Sequence, residues 1–286
     1  MDSDASSAAP PSDGAVLLAG EDDRFGGFII DPLGLPAHPP DFLAVLRTSL
    51  AHWKDQSKRG IWLKLPIDKS NLVPLAVEEG FIYHHAEKDY LMLTYWIPEE
   101  ESTLPANASH QVGIGAIVIN DQNEILVVQE KSGPMHGLGI WKMPTGVVLQ
   151  GEDILEAAIR EVKEETGVDT EFVEVFGFRQ GHDVAFGKSD LFFLCKLLPL
   201  STEIVVQENE IEAAQWIPFE DYKAQEFNTS SMLLSRFADI ATASCEGKYK
   251  GFGAETLKLG FRNKGSLFYH NIQDIQSYHS HVSSKI

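Results

Sequence analysis

Three glutamates, Glu161, Glu164 and Glu165, crowd a stretch, Asp153 to Thr166, in which Ile154, Leu155, Ala158, Ile159 and Val162 recur at helical spacing. In a helix, positions i, i+3 and i+4 share one patch about a turn long. Like charges at that spacing cost an isolated helix about 0.2–0.5 kcal/mol per pair, and these lie toward its electronegative C-terminal end. A hard cation compensates such a patch. Clustered carboxylate oxygens suit Mg²⁺ or Mn²⁺, which keep several waters and bridge to phosphate oxygens. Cations so held can neutralise phosphate oxygens and activate a bound water. An acidic helix face alone is ordinarily just solvated, so its flanks decide between the two readings.

The flanks carry a fixed pattern. From Gly146 there are five residues to Glu152 and seven more to Arg160, and then Arg160-Glu161-Val162-Lys163-Glu164-Glu165-Thr166-Gly167-Val168. This resembles the Nudix box, with Gly146, Glu152, Arg160, Glu161, Val162, Glu164, Glu165, Gly167 and Val168 all in place. The resemblance implies an α+β Nudix fold, a mixed β-sheet sandwiched by helices as α/β/α. It also implies a hydrolase that uses Mg²⁺ or Mn²⁺. The metal set would be the Gly146 carbonyl with Glu161, Glu164 and Glu165, where Glu164 is either a further ligand or the base. Arg160 would aim the glutamates, Glu152 would be mainly structural, and Gly167 would end the helix at C′. Many relatives take the base from outside the box; Glu210 is the first choice among Glu208, Glu210 and Glu212, all just before Trp216. Pro144-Thr145 precedes Gly146 where many relatives have paired glycines.

Substrate choice must come from other residues. Patterns selective for NADH and for coenzyme A are absent. Beyond the box, Trp62 to Pro66, Gly80-Phe81 through Glu87, His110 to Gly113 and Ser189 to Phe193 resemble the plant cytosolic Nudix hydrolases and their animal relatives. That resemblance implies ADP-ribose and NADH as substrates, with AMP and a phosphorylated product. An isoprenoid diphosphate, an oxidised nucleotide, or a non-catalytic ligand-sensing module are the alternatives. Phe178, Phe186 and Trp216 could stack an adenine or could equally be core.

The elements around the box fall into two units. Residues 1–22 read as a disordered tail. Residues 23–100 form a smaller α/β domain resembling the acyltransferase-type fold, with a helix carrying Phe42, Val45, Leu46, Leu50 and Trp53 on one side and stopped by Gly60. A packing, regulatory or dimerisation role suits it, since no pyrophosphate-binding glycine loop is evident. Adjacent His84 and His85 should point to opposite faces of their strand, which argues against a shared ion. The Nudix domain should span 108–245: strands at Val112–Ile119 and Ile125–Gln129, a short one around Trp141, the box helix, then Phe172–Phe178, Leu191–Leu197 and Ala213–Ile217. Residues 246–286 form a C-terminal extension.

Composition sets the bounds. In 286 residues, 43% hydrophobic and 23% charged, there is material for real cores. A net charge of -19 disfavours nucleic acids and anionic membranes as partners, and the small-molecule diphosphate that the resemblance implies would have to be met through divalent cations or a few aimed Lys and Arg side chains. Cys195 and Cys245 alone make no disulfide framework, so a reduced, cytoplasmic protein is expected. No apolar run reaches membrane-spanning length. Ser284-Lys285-Ile286 is one change from a peroxisomal address, the alternative location.

Overall fold

The computed structural model describes residues 16–207, 209–258 and 265–283, with side chains described as far as 278. The chain divides between Ala108 and Ser109 into two compact units.

In the first unit, β1 (Gly20–Asp22), β2 (Phe28–Ile30), α1 (Pro39–Asp55), β3 (Gly60–Pro66), α2 (Val73–Glu78), β4 (Ile82–Ala86) and β5 (Tyr90–Trp96) follow one another. The sheet runs β1-β2-β3-β5-β4, with only β2 and β3 parallel. Period-2 alternation sends Ile61, Leu63 and Leu65 of β3 to one face, where they join Phe42, Leu46 and Trp53 of α1 and Ala76 of α2 in one core. Three expectations are corrected. The tail does not run to residue 22: Leu18 is buried in that core, its N–H bonded to the Ser49 hydroxyl at 2.9 Å, and Gly20–Asp22 pairs with β2. Gly60 does not stop α1, which ends at Asp55; it opens β3, where a Cβ would collide with Leu104. His84 and His85 do not diverge, because a register shift between Tyr83 and His85 turns both rings to one side, their Nδ1 atoms 2.6 Å apart.

The second unit comprises β6 (His110–Val118), β7 (Glu124–Glu130), β8 (Thr145–Val147), α3 (Ile154–Thr166), β9 (Thr170–Ala185), β10 (Lys188–Pro199) and β11 (Ile211–Pro218). There follow α4 (Phe219–Ala224), α5 (Glu226–Ser230), α6 (Met232–Cys245), β12 (Gly253–Lys258), β13 (Gly265–His270) and α7 (Ile272–Ser283). Strands β8-β6-β10-β9 make a mixed sheet in which only β6 and β10 run parallel; β11 pairs with β7, and β12 with β13. The strand expected around Trp141 is only a bridge between Lys142 and Val128, and β8 is the edge strand instead.

Alternation along these strands explains the layering. Ile114, Ala116 and Val118 of β6, with Cys195 and Leu197 of β10, face Ala157, Ala158 and Val162 of α3. Ile117, Leu194 and Phe192 point the other way, toward Phe219 and Tyr222 of α4 and Phe237 and Ala241 of α6. Helices therefore cover both faces of a mixed sheet. The C-terminal segment is stitched to this body: Phe252 and Val175 exchange backbone hydrogen bonds of 2.8 Å, and the Tyr249 hydroxyl donates to the Phe176 carbonyl. No helix among the described residues is long and apolar enough to cross a membrane, and Ser284-Lys285-Ile286 lies outside them.

Gly167 ends α3 in the left-handed region at φ 74°, where the Val205 backbone passes about 3.0 Å from the position of an added Cβ. Gly167→Ala is expected to cost about 1–2 kcal/mol from the backbone alone, read as a lowered midpoint in chemical denaturation. An unchanged midpoint would contradict this account of the helix end.

Candidate active site

The site is assembled by α3 and the loop that leads into it. Asp153 caps the helix, and Glu156 returns its carboxylate to the Asp153 N–H at 3.3 Å, a capping box that fixes where the first turn starts. Packing of Ala157, Ala158 and Val162 then fixes the helix rotation. That rotation does not leave all three glutamates on an exposed face. Glu165, one turn from Val162 and two from Ala158, is 8% exposed, whereas the Glu164 side chain is 56% exposed. The cluster therefore straddles the seam between core and solvent.

Arg160 organises the seam. Its guanidinium bonds Glu152 through Nε at 2.6 Å and Nη2 at 2.9 Å, Glu161 at 2.8 Å, Glu164 at 3.1 Å and the Val147 carbonyl at 3.0 Å. Glu152 also accepts the Leu149 N–H at 2.8 Å, which ties the 147–152 loop to the helix. Bonding to Arg160 holds Glu152 below the usual carboxylate range and raises Arg160 further above its own. Burial pushes Glu161 up, against the opposing pull of Arg160. Glu165 rises further, to about 8, because burial outweighs the attraction of nearby Lys142 and the bond from the Thr145 N–H. Its Oε2 is buried and has no hydrogen-bond partner.

Gly146 completes the arrangement. In β8 it lies against Glu161 so closely that a Cβ would occupy the space of the carboxyl group. Among the described residues no three His, Cys, Asp or Glu side chains converge as a finished cage, since Arg160 draws Glu161 and Glu164 to itself. The residues nonetheless fit a divalent cation. A buried carboxylate oxygen without a partner, a second carboxylate seated in a glycine notch and an all-oxygen donor set are what a hard ion requires.

The chain matches the family model described as the NUDIX domain over residues 109–234 and the one described as the Nudix hydrolase domain over residues 18–97. It is 52% identical to Nudix hydrolase 2 of Arabidopsis thaliana, covering 97% of this chain and 99% of that one. The chain belongs to the Nudix hydrolases. Nudix hydrolase 8 of Arabidopsis thaliana is 50% identical over 93% of this chain and 72% of its own. The human protein called nucleoside diphosphate-linked moiety X motif 6 is 38% identical over 77% of this chain and 71% of its own.

Two residues of this Nudix hydrolase that have no place in the box join the cluster by tertiary contact. Glu130, at the end of β7, and Lys142 form an ion pair at 2.5 Å, and both act electrostatically on Glu165. Lys142 also donates to the Thr145 hydroxyl at 2.7 Å. Lys142 and Thr145 in turn line a cavity of about 200 Å³ together with Arg179, Phe192, Phe227 and Phe237. Glutamate cluster and aromatic cavity are thus neighbours across edge strand β8.

None of the three aromatic residues singled out from sequence lines that cavity. Phe178 packs on Phe193 with ring centroids 5.4 Å apart, on the opposite side of β10 from Phe192. Phe186 stands fully exposed in the β9–β10 turn at φ 50°. Trp216 packs against the α3-side core and donates its indole N–H to the Thr202 carbonyl at 3.1 Å, the core role weighed for it. Glu210 is exposed; its N–H bonds the Gln207 side chain at 2.8 Å and its carbonyl accepts the Lys131 N–H at 2.8 Å. Glu212 lies 3.6 Å from His136, and Glu208 falls outside the described residues.

Proposed function

We propose that this Nudix hydrolase cuts the diphosphate linkage of a nucleoside diphosphate joined to a second group, ADP-ribose or NADH, in a reaction dependent on Mg²⁺ or Mn²⁺ that yields AMP and a phosphorylated product. The observation that carries this reading is the sharing of Lys142 and Thr145 between the glutamate cluster and the aromatic cavity. A diphosphate at the glutamates places its nucleoside end within reach of the cavity, and aromatic rings suit a planar base.

The divalent ions would be held by Glu161, Glu165 and the Gly146 carbonyl, with Glu164 either a further ligand or the base, and when bound they would supply charge neutralisation and an activated water. The protein's own groups do the rest. Arg160 orients Glu161 and Glu164 and ties down the 147–152 loop. Lys142, held by Glu130, offers a cation where the phosphates pass in an otherwise strongly acidic protein. Glu164 is open to solvent and suited to accept the proton of the attacking water, with Glu210 the alternative base from outside the box. In this reading residues 108–245 form the catalytic domain, and 23–100 a packing, regulatory or dimerisation domain. Two free cysteines and no disulfide accord with the cytoplasm.

The test is a panel: purified protein with Mg²⁺ or Mn²⁺ against ADP-ribose, NADH, an isoprenoid diphosphate and an oxidised nucleoside triphosphate, with products identified by mass spectrometry. AMP should appear from ADP-ribose or NADH and vanish with EDTA. A dominant non-nucleotide substrate would overturn the reading.

A further inference from the structure

The first unit carries a cavity of its own, on the face of its sheet turned away from α1 and α2. Alternation that sends Ile61, Leu63 and Leu65 to the helices sends Trp62 the other way. Ile29 of β2 is the register partner of Trp62, and Trp96 of β5 lies across from Gly60. Residues 103–105 make the far wall, and three contacts fix it. Arg59 Nη2 donates to the Thr103 hydroxyl at 3.1 Å, Leu104 fills the space that a Cβ at Gly60 would need, and the His84 ring donates to the Pro105 carbonyl at 2.9 Å. Phe25, Ile29, Trp62, Trp96 and Leu104 line about 420 Å³, within the ~300–1,000 Å³ of sites that hold a whole small molecule.

The lining selects a flat apolar ring with one negative charge. Phe25 is 80% and Ile29 38% exposed, a patch beside two tryptophans that an aromatic guest would cover. Charge enters through Arg59, whose guanidinium carbon lies 4.9 Å from the Trp96 ring centroid. An arginine has five N–H donors; this one serves Thr103, and no described carboxylate pairs with it although the chain carries a net charge of -19. A fork of that kind matches a planar carboxylate. Asp23 also lines the cavity, but its Oδ1 accepts the Phe25 and Gly27 N–H groups at 2.7 Å each, so it serves the 23–27 turn. Its charge opposes a phosphate dianion more strongly than a carboxylate. A cationic guest is disfavoured, because Arg59 already takes a face of Trp96.

We infer that the first unit holds a second ligand site, for a small planar aromatic carboxylate, with the ring against Trp62, Phe25 and Ile29 and the carboxylate on Arg59. The site uses residues of the first unit alone and stands whichever diphosphate the second unit cuts. It gives residues 23–100 a ligand of their own.

The probes are 2-naphthoate and its neutral amide, 2-naphthamide, titrated into the whole protein in EDTA and followed by fluorine NMR of protein carrying fluorotryptophan. The five tryptophans are assigned with single Trp→Phe variants. Naphthoate should shift Trp62 and Trp96 and leave Trp141 and Trp216 of the second unit in place. It should bind about ten-fold more tightly than the amide. Arg59→Gln, an exposed substitution, should erase that preference by weakening the carboxylate. Phe25→Ala should weaken both probes and keep their ratio, which reads the ring separately from the charge. Equal affinities in the unaltered protein, shifts confined to the second unit, or no binding would each overturn the inference. So would AMP displacing naphthoate at Trp62 and Trp96 with higher affinity, which would make the guest a nucleotide.

Discussion

Glu165→Gln is expected to lower metal-dependent turnover by about 10³-fold while leaving the protein folded. The substitution keeps shape and volume and removes only the charge. In the protein without metal that charge is a burden, since Glu165 is buried, its Oε2 is unpaired, and burial disfavours its ionised form. The neutral amide should therefore melt no lower than the parent protein in EDTA. With Mg²⁺ or Mn²⁺ the order should reverse, because a ligand that binds only the native state stabilises it by mass action, and the variant has lost a ligand for it. Two measurements check this together, steady-state kinetics on the best panel substrate and melting curves with and without the cation. Turnover within a few-fold of the parent protein would remove Glu165 from the reaction.

Gly146→Ala carries the second largest effect and acts without touching a carboxylate. Gly146 lies in β8 outside the positive-φ region, so alanine is conformationally acceptable there. The difficulty is the Glu161 carboxyl group, whose place an added methyl would take. A glutamate is flexible at its far end, so the fold should survive with the carboxylate displaced by an ångström or so. Displacement on that scale costs about 10²-fold in rate when geometry governs the reaction. The expected result is a fall in kcat with a nearly unchanged unfolding midpoint. A fall in stability with normal kcat would mean that Gly146 serves packing alone.

The box helix was legible because its signals are local. Period and terminal glycine both lie between Asp153 and Gly167, and the structure gives α3 as Ile154–Thr166. The burial of Glu165 was less legible, since a helical wheel separates polar from apolar residues and does not say how far a neighbouring loop reaches around the edge. Here Lys142 and Thr145 come up beside it, one from the bridge to Val128 and the other from the start of β8. Glu130 and Lys142 carry no motif, and their pairing exists only once β7 meets the segment before β8. The cavity draws on β10, α4, α5 and α6, far apart in the chain, so no spacing rule could assemble it. Aromatic residues near the box in sequence, Phe178 and Phe186, were the natural candidates, but alternation along β9 and β10 turns Phe192 rather than Phe178 to the cavity side. The bulge that brings His84 beside His85 likewise breaks the period on which the sequence argument depended.

The five hydrogen bonds from Arg160 to the box carboxylates and the Val147 carbonyl also bear on how the enzyme is loaded. A guanidinium already lying among the glutamates acts as a placeholder ion, keeping loop and helix in register whether or not a metal is present. A divalent ion would then meet a loop and a helix already in register, with Arg160 still holding the carboxylates beside it. Metal capture should accordingly proceed at the pace of water loss from the ion and a few side-chain rotations, with no folding step to wait for, and an enzyme stripped by a chelator should recover on mixing.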